Sequence, residues 1–210
     1  HARMDYAVMS GGDVAPLGRD AVTDMHKMFD WAERSPNGLL LLIDEADAFV
    51  RKRGKDMSED SRNALNAFLF RTGTPSTDVM VVFASNLPEL FDSAVHDRVD
   101  EIVQFPLPAL EERRKILQEY VKEMLEPMPR TAFWRPAPPP ITLDEGVTDE
   151  MIVKAADKCE GFSARELSKL ALAWRAAAFA TEERVLTPSL VEETLNLQLG
   201  QHAVRVSWLE

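Results

Sequence analysis

The sequence predicts an α/β fold: a parallel sheet flanked by helices, followed by a small all-helical domain. Three observations carry this. Up to Phe105, short apolar runs alternate with amphipathic helical patterns, the signature of βαβ units. The runs LLLLI at 39–43 and VMVVFA at 79–84 contain no polar residue, as expected of strands covered on both faces. After Pro106 only helical periodicity remains. Residues 1–108 are therefore read as the α/β part and 109–210 as the helical part.

Taken in order, Tyr6 to Met9 reads as a short strand that ends in a Gly11-Gly12 turn. Between about Arg19 and Arg34, Val22, Met25, Phe29 and Ala32 recur at helical spacing and make one buried stripe. Ser35-Pro36-Asn37-Gly38 stops that helix, and the strand Leu39 to Ile43 follows. Ser58 can cap the next helix, with Glu59 and Asp60 favourably placed in its first turn and Leu65, Phe68 and Leu69 on its apolar face. Strands are then predicted at Val79 to Ala84 and at Ile102 to Phe105.

In the second half, Ile116, Leu117, Tyr120, Val121 and Met124 form one helical face. The segment PMPRTAFWRPAPPP, Pro127 to Pro140, holds six of the 13 prolines and reads as an extended loop, with Phe133 and Trp134 available for docking. Three further helices open at Thr148, Ser163 and Thr187. Ser163-Ala164-Arg165-Glu166 matches a capping box, and Pro188 suits the first helical position. Gly200 is expected to close the last helix.

A net charge of −11 and a pI near 4.9 argue against bulk electrostatic binding to nucleic acid or anionic lipid. The single cysteine, Cys159, excludes an internal disulfide. No run approaches the roughly 18 apolar residues of a membrane span, so membrane attachment is expected only through regions outside these residues.

Within GLLLLIDEADAF, Gly38 to Phe49, an apolar strand runs into Asp44 and Glu45. A carboxylate just past the C-terminal end of a buried parallel strand sits where open α/β sheets bind ligands. Such an Asp can hold Mg²⁺ through water, and a neighbouring Glu can polarise an attacking water. The alternative is a pair of solvated acids where a strand surfaces. Asn86, ending VVFASN, lies at the same sheet edge and can orient a water without adding charge, or can be an ordinary turn residue. Arg98 can be offered to a neighbouring subunit's nucleotide or pair with Asp97 or Asp100. Arg165 lies in the first turn of a helix, where the macrodipole disfavours a cation and a phosphate ligand would explain it.

With these residues in order, the chain resembles an AAA ATPase module. IDEADAF is similar to the family's Walker B motif, VFASN to sensor 1, the HDRVDEIVQF region to the arginine-finger segment and GFSAREL to the sensor 2 helix of the lid. The segments MDYAVMSGGDVAPLGRDAVTDMHKMFDWA, LLIDEADAFVRKR, SEDSRNALNAFLFRTG, ASNLPELFDSAVHDRVDE and QHAVRVSWLE resemble the mitochondrial ATPase family AAA domain-containing protein 3 group. The resemblance implies an AAA-type sheet with a helical lid, ATP and Mg²⁺ as ligands, and a homo-oligomeric, hexameric ring acting on a protein client. It also implies the mitochondrial inner membrane, with the ATPase domain facing the matrix. Carried over residue by residue, it makes Asp44 the Mg²⁺ acid and Glu45 the base. Asn86 becomes sensor 1, Arg98 the finger acting in trans, and Arg165 sensor 2. Leu17 and Gly18 fall in the loop that takes the place of the first pore loop.

No G-x-x-x-x-G-K-[ST] motif occurs in the 210 residues; the one Gly-Lys pair, Gly54-Lys55, is followed by Asp56. In the family that loop, with the first, central strand, precedes the residues aligned to Met4–Met9. The expectation is therefore a truncated sheet that belongs to a larger polypeptide, inactive and unstable on its own. Two functions follow: part of an ATPase motor that remodels protein or membrane-associated assemblies, or a non-catalytic AAA-like scaffold. The first is favoured because Glu45, Asn86, Arg98 and Arg165 are all present.

Overall fold

A computed structural model of the protein describes residues 3–54, 57–126 and 140–208. It divides into two units, His1–Val103 and Gln104–Glu210. In the first, three parallel strands, β1 (Asp5–Ser10), β2 (Leu39–Asp44) and β3 (Val79–Phe83), lie side by side in chain order. Asp5 pairs with Leu39 and Leu39 with Val79, so the strands are in step and end together near Ser10, Asp44 and Phe83.

The crossovers are α1 (Asp20–Arg34) and α2 (Glu59–Arg71). Crossovers of one hand between strands that advance in one direction land on one face of a sheet. Accordingly Met25, Phe29 and Ala32 of α1 and Leu65, Phe68 and Leu69 of α2 pack with Leu39, Leu41 and Ile43 in a single core. Edge-on and tilted ring contacts continue it from Phe29 to Phe68, Phe83 and Phe91 at 5.9–6.0 Å between centroids. Arg71 fastens the two helices by bonding Asp30 and the His26 carbonyl. Ser58 caps α2 by accepting from the Ser61 N–H at 3.1 Å, and Glu59 and Asp60 follow in the first turn.

Three expectations are corrected here. The strand at 39–43 is covered on one face only: Leu39, Leu41 and Ile43 are buried, whereas Leu40 and Leu42 are half-buried. The same outer face carries Tyr6, 77% exposed, with Val8 and Met80 also exposed. Residues 102–105 form no strand, because no neighbouring strand pairs with them among the described residues; Ile102, Val103 and Phe105 are exposed. The stripe of α1 begins at Ala21, with Val22 half-buried beside it.

The second unit contains α4 (Leu110–Leu125), α5 (Asp149–Lys158), α6 (Ala164–Ala180) and α7 (Pro188–Ser207); the short α3 (Ser93–His96) belongs to the first. Leu117, Val121, Ile152, Leu167, Leu170, Trp174 and Val191 make its core. Buried Arg113 ties α4 to α5 by donating from Nε to the Ala156 carbonyl at 2.8 Å. Thr148, Ser163 and Thr187 each accept from the N–H three residues on, and Ser163 and Glu166 complete a capping box.

This unit is not purely helical. A two-residue parallel ladder joins β4 (Thr142–Leu143) to β5 (Val185–Leu186). Nor does Gly200 close α7, which continues to Ser207. A helical glycine costs about 1 kcal/mol relative to alanine, and the stretch beyond it is held by contacts from His202 and Arg205 to Glu166. Residues 127–139 of the proline-rich segment, with Phe133 and Trp134, lie outside the described residues, as does Lys55.

Candidate functional site

All three strands are parallel, so their C-terminal ends define one edge of the first unit. At that edge the apolar run of β2 gives way to Asp44 and Glu45, both exposed. Asp44 Oδ1 accepts the Glu45 N–H at 2.9 Å, and Oδ2 has no hydrogen-bond partner among the described residues. Glu45 adopts a left-handed conformation with φ 48°, a state that costs a non-glycine residue about 1 kcal/mol or more and persists only where the surroundings impose it. They do so here. The Glu45 carbonyl accepts the Ala48 N–H at 3.0 Å, and Gly11, at the end of β1, packs so closely beneath that carbonyl that a Cβ would overlap it.

The third acid, Asp47, joins β2 to β3. Its Oδ1 accepts from the Ser85 hydroxyl at 2.5 Å, and Ser85 Oγ in turn accepts the Leu87 N–H at 3.0 Å. The Ala46 N–H donates to the Ala84 carbonyl at 2.9 Å, and the Ala84 N–H to the Ile43 carbonyl at the same distance. Asn86 follows directly and is exposed. The edge therefore brings Asp44, Glu45 and Asn86 onto adjacent strand ends, held together by Asp47 and Ser85.

After β1 the chain forms two short 3-10 turns, Gly11–Asp13 and Ala15–Leu17. Ser10 and Asp13 cap the first reciprocally. Val14 is buried and anchors the loop, while Leu17 is exposed and Gly18 takes φ 52°. Leu17 and Gly18 thus sit on a short, internally bonded loop that presents an aliphatic side chain.

Arg98 lies elsewhere. The Lys52 N–H donates to Leu90 and the Asp92 N–H to Val50, so the chain after the acids is paired antiparallel with the chain before α3. Asp92 caps α3 through the Ala94 N–H at 3.0 Å and pairs with Arg53 at 3.2 Å. Arg98 follows α3, exposed, and donates to the Ala94 carbonyl at 2.5 Å. Among the described residues it forms no ion pair with Asp97 or Asp100. A Cβ on Gly73, just past α2, would lie 3.6 Å from its Nη2.

Arg165 belongs to the second unit, exposed in the first turn of α6. Beside it Glu166 accepts from the Ser163 N–H and hydroxyl, from Arg205 and from His202. Burial works against its charged form, but the hydrogen bonds from His202 and Ser163 and the charge of His202 hold its carboxyl below the usual glutamate value. Burial raises the Cys159 thiol to about 11, against a smaller lowering by Arg113.

The donor set suits Mg²⁺. That ion sheds water reluctantly and takes one or two carboxylates, and Asp44 offers one exposed carboxylate with an oxygen to spare. No group of three or more His, Cys, Asp or Glu converges among the described residues. Asp44, Glu45 and Asn86, singled out from the sequence, lie at one sheet edge; the close contact of Gly11 with Glu45, the Asp47–Ser85 tie and the hold of α7 on Glu166 were not foreseen. The first involves one glycine of a visible pair, and the second follows from an acid three positions after Asp44. The third joins residues 36 and 39 positions apart and has no local signal.

Comparison with known proteins adds the following. The family model described as "ATPase family associated with various cellular activities (AAA)" matches residues 1–107. Over all of its length the chain is 49% identical to ATPase family AAA domain-containing protein 3 of Caenorhabditis elegans. It is 48% identical to protein 3-B of Xenopus laevis and 45% to protein 3A of Homo sapiens, again over its whole length. In each case it spans 35% of the relative.

Proposed function

The chain belongs to the AAA family of ATPases, and from that premise we propose that it is the hydrolytic and sensing part of a motor that couples Mg-ATP hydrolysis to remodelling of protein or membrane-associated assemblies. The observation that carries this reading is the meeting of Asp44, Glu45 and Asn86 at one sheet edge, with Glu45 held in a strained backbone conformation by Gly11 and Asp47 bonded to Ser85.

In this reading Asp44 holds the hydration shell of Mg²⁺, and the ion, when bound, neutralises charge on the ATP phosphates. Glu45 accepts a hydrogen bond from the attacking water and orients it, and Asn86 fixes the same water without adding negative charge. Arg98 serves a neighbouring copy in a homo-oligomeric ring of six, a reading supported by membership of the AAA family, whose domains commonly form oligomers. Arg165 reads the phosphates from the lid. Leu17 and Gly18 present a client-facing loop that lacks an aromatic grip. The proposed setting is the mitochondrial inner membrane with the ATPase facing the matrix, supported by the similarity to the domain-containing protein 3 group. Protease protection of tagged protein in intact mitochondria checks it.

Replacing Glu45 with Gln in the full-length protein tests the assignment. ATP binding is expected to remain while turnover falls by about 100-fold or more, the usual range for a positioned base. Undiminished hydrolysis would overturn it.

A further inference from the structure

Glu166 faces in two directions. Its Oε2 accepts from the Ser163 N–H at 2.9 Å and from the Ser163 hydroxyl at 3.0 Å, and so closes the first turn of α6. Its Oε1 is given wholly to α7: Arg205 Nη1 donates at 3.0 Å, and His202 Nδ1 lies at 2.9 Å. A carboxylate only accepts, so this His202 nitrogen carries a proton. His202 is also set by the lead-in to α6. Its ring lies against that of Phe162 at 4.5 Å between centroids, and Gly161, with φ 82°, leaves room for it. A Cβ on Gly161 would come to 3.4 Å from His202 Nε2.

Phe162 and Glu166 thus both meet side chains of α7, and Arg165 lies between them at the start of α6. Arg165 itself is exposed and has no ion-pair partner among the described residues. A first helical turn has free N–H groups and frays unless it is capped, and a cation there is disfavoured by the macrodipole. Something other than Arg165 must therefore fix where its guanidinium is presented. We infer that His202 and Arg205 are positioning residues for Arg165, setting through Glu166 the turn from which it reaches nucleotide. This rests on the reading of Arg165 as the nucleotide-sensing arginine. The last helix thereby acts on Arg165 through the turn that carries it.

The test is a double-mutant cycle in the full-length protein, read as affinity for ATP by fluorescent-analogue displacement and as KM against kcat. Arg205→Ala and His202→Ala are expected to weaken ATP affinity by about tenfold, the scale of one charge-assisted hydrogen bond. Arg205→Lys should recover part of it. Arg165→Ala combined with Arg205→Ala should bind no more weakly than Arg165→Ala alone. Additive losses, or unaltered affinity in both α7 variants, would overturn the inference and leave the sensing role of Arg165 standing. Unaltered affinity in Arg165→Ala would overturn both.

Discussion

Gly11 and Glu45 are packed backbone against backbone: the open side of the glycine receives the carbonyl oxygen of a glutamate held at φ 48°. A methyl group at Gly11 would meet this oxygen and also the Phe49 N and Ala48 Cβ, so the 3-10 turn after Glu45 would have to move. Gly11→Ala is expected to cost about 1–3 kcal/mol of stability, as overpacking does. It should also lower ATP turnover more than ATP affinity. Denaturant melts and steady-state kinetics on the full-length protein check both, and a silent Gly11→Ala would contradict the role given to this contact.

The Asp47–Ser85 bond makes a separate prediction. Ser85→Ala removes the donor to Asp47 and the acceptor of the Leu87 N–H, both of which steady the chain around Asn86. Stability should fall by about 1 kcal/mol, and kcat by roughly tenfold with KM nearly constant, as when a supporting hydrogen bond behind a reacting group is lost. Ser85→Thr retains the hydroxyl and should retain most of the rate.

Cys159 should be chemically silent in the folded protein. It is fully buried and its thiol is raised to about 11, so almost no thiolate exists at neutral pH. Ellman's reagent at pH 8 is expected to label it only upon unfolding. A thiol whose folded value is raised favours the fold while protonated. Its contribution is full below the ordinary thiol value of 9.0 and declines as pH rises toward about 11. Rapid labelling under native conditions would contradict the packing around Phe162 and Arg113.

Glu166 gives the opposite dependence. Its folded value is depressed, so its stabilisation is present above the ordinary glutamate value and is lost as pH falls through the lower folded one. Glu166→Gln should therefore destabilise the protein at neutral pH by about 1–3 kcal/mol. Its gap from the wild type should narrow below about pH 4. Urea midpoints for both proteins across that range read this directly.

Much of the architecture was legible because its signals are local. Ser58, Thr148, Ser163 and Thr187 announce their helices through one hydroxyl and an N–H three residues on. Asp44, Glu45 and Asn86 stand out as polar residues ending apolar runs. What was misread depends on neighbours distant in sequence. An apolar run such as LLLLI does not tell one covered face from two, and Leu40 and Leu42 turned out half-buried. Ile102 to Phe105 has strand composition but no pairing partner among the described residues. Gly200 has the residue type of a helix stop, yet α7 passes through it because His202 and Arg205 find Glu166.

That passage through Gly200 divides α7 in its exchange behaviour. Up to Leu195 the helix is sealed by Val191 and Leu195 in the core. Beyond Gly200, where an added Cβ would meet only open space, its amides are protected mainly by the grip of two side chains on a single carboxylate. Amide deuteration should therefore break into two rates near Gly200, with the outer turns opening in small local excursions and the inner ones only when the second unit unfolds. Removing the Glu166 charge should speed the outer set most, and the inner set only by as much as the second unit loses in stability.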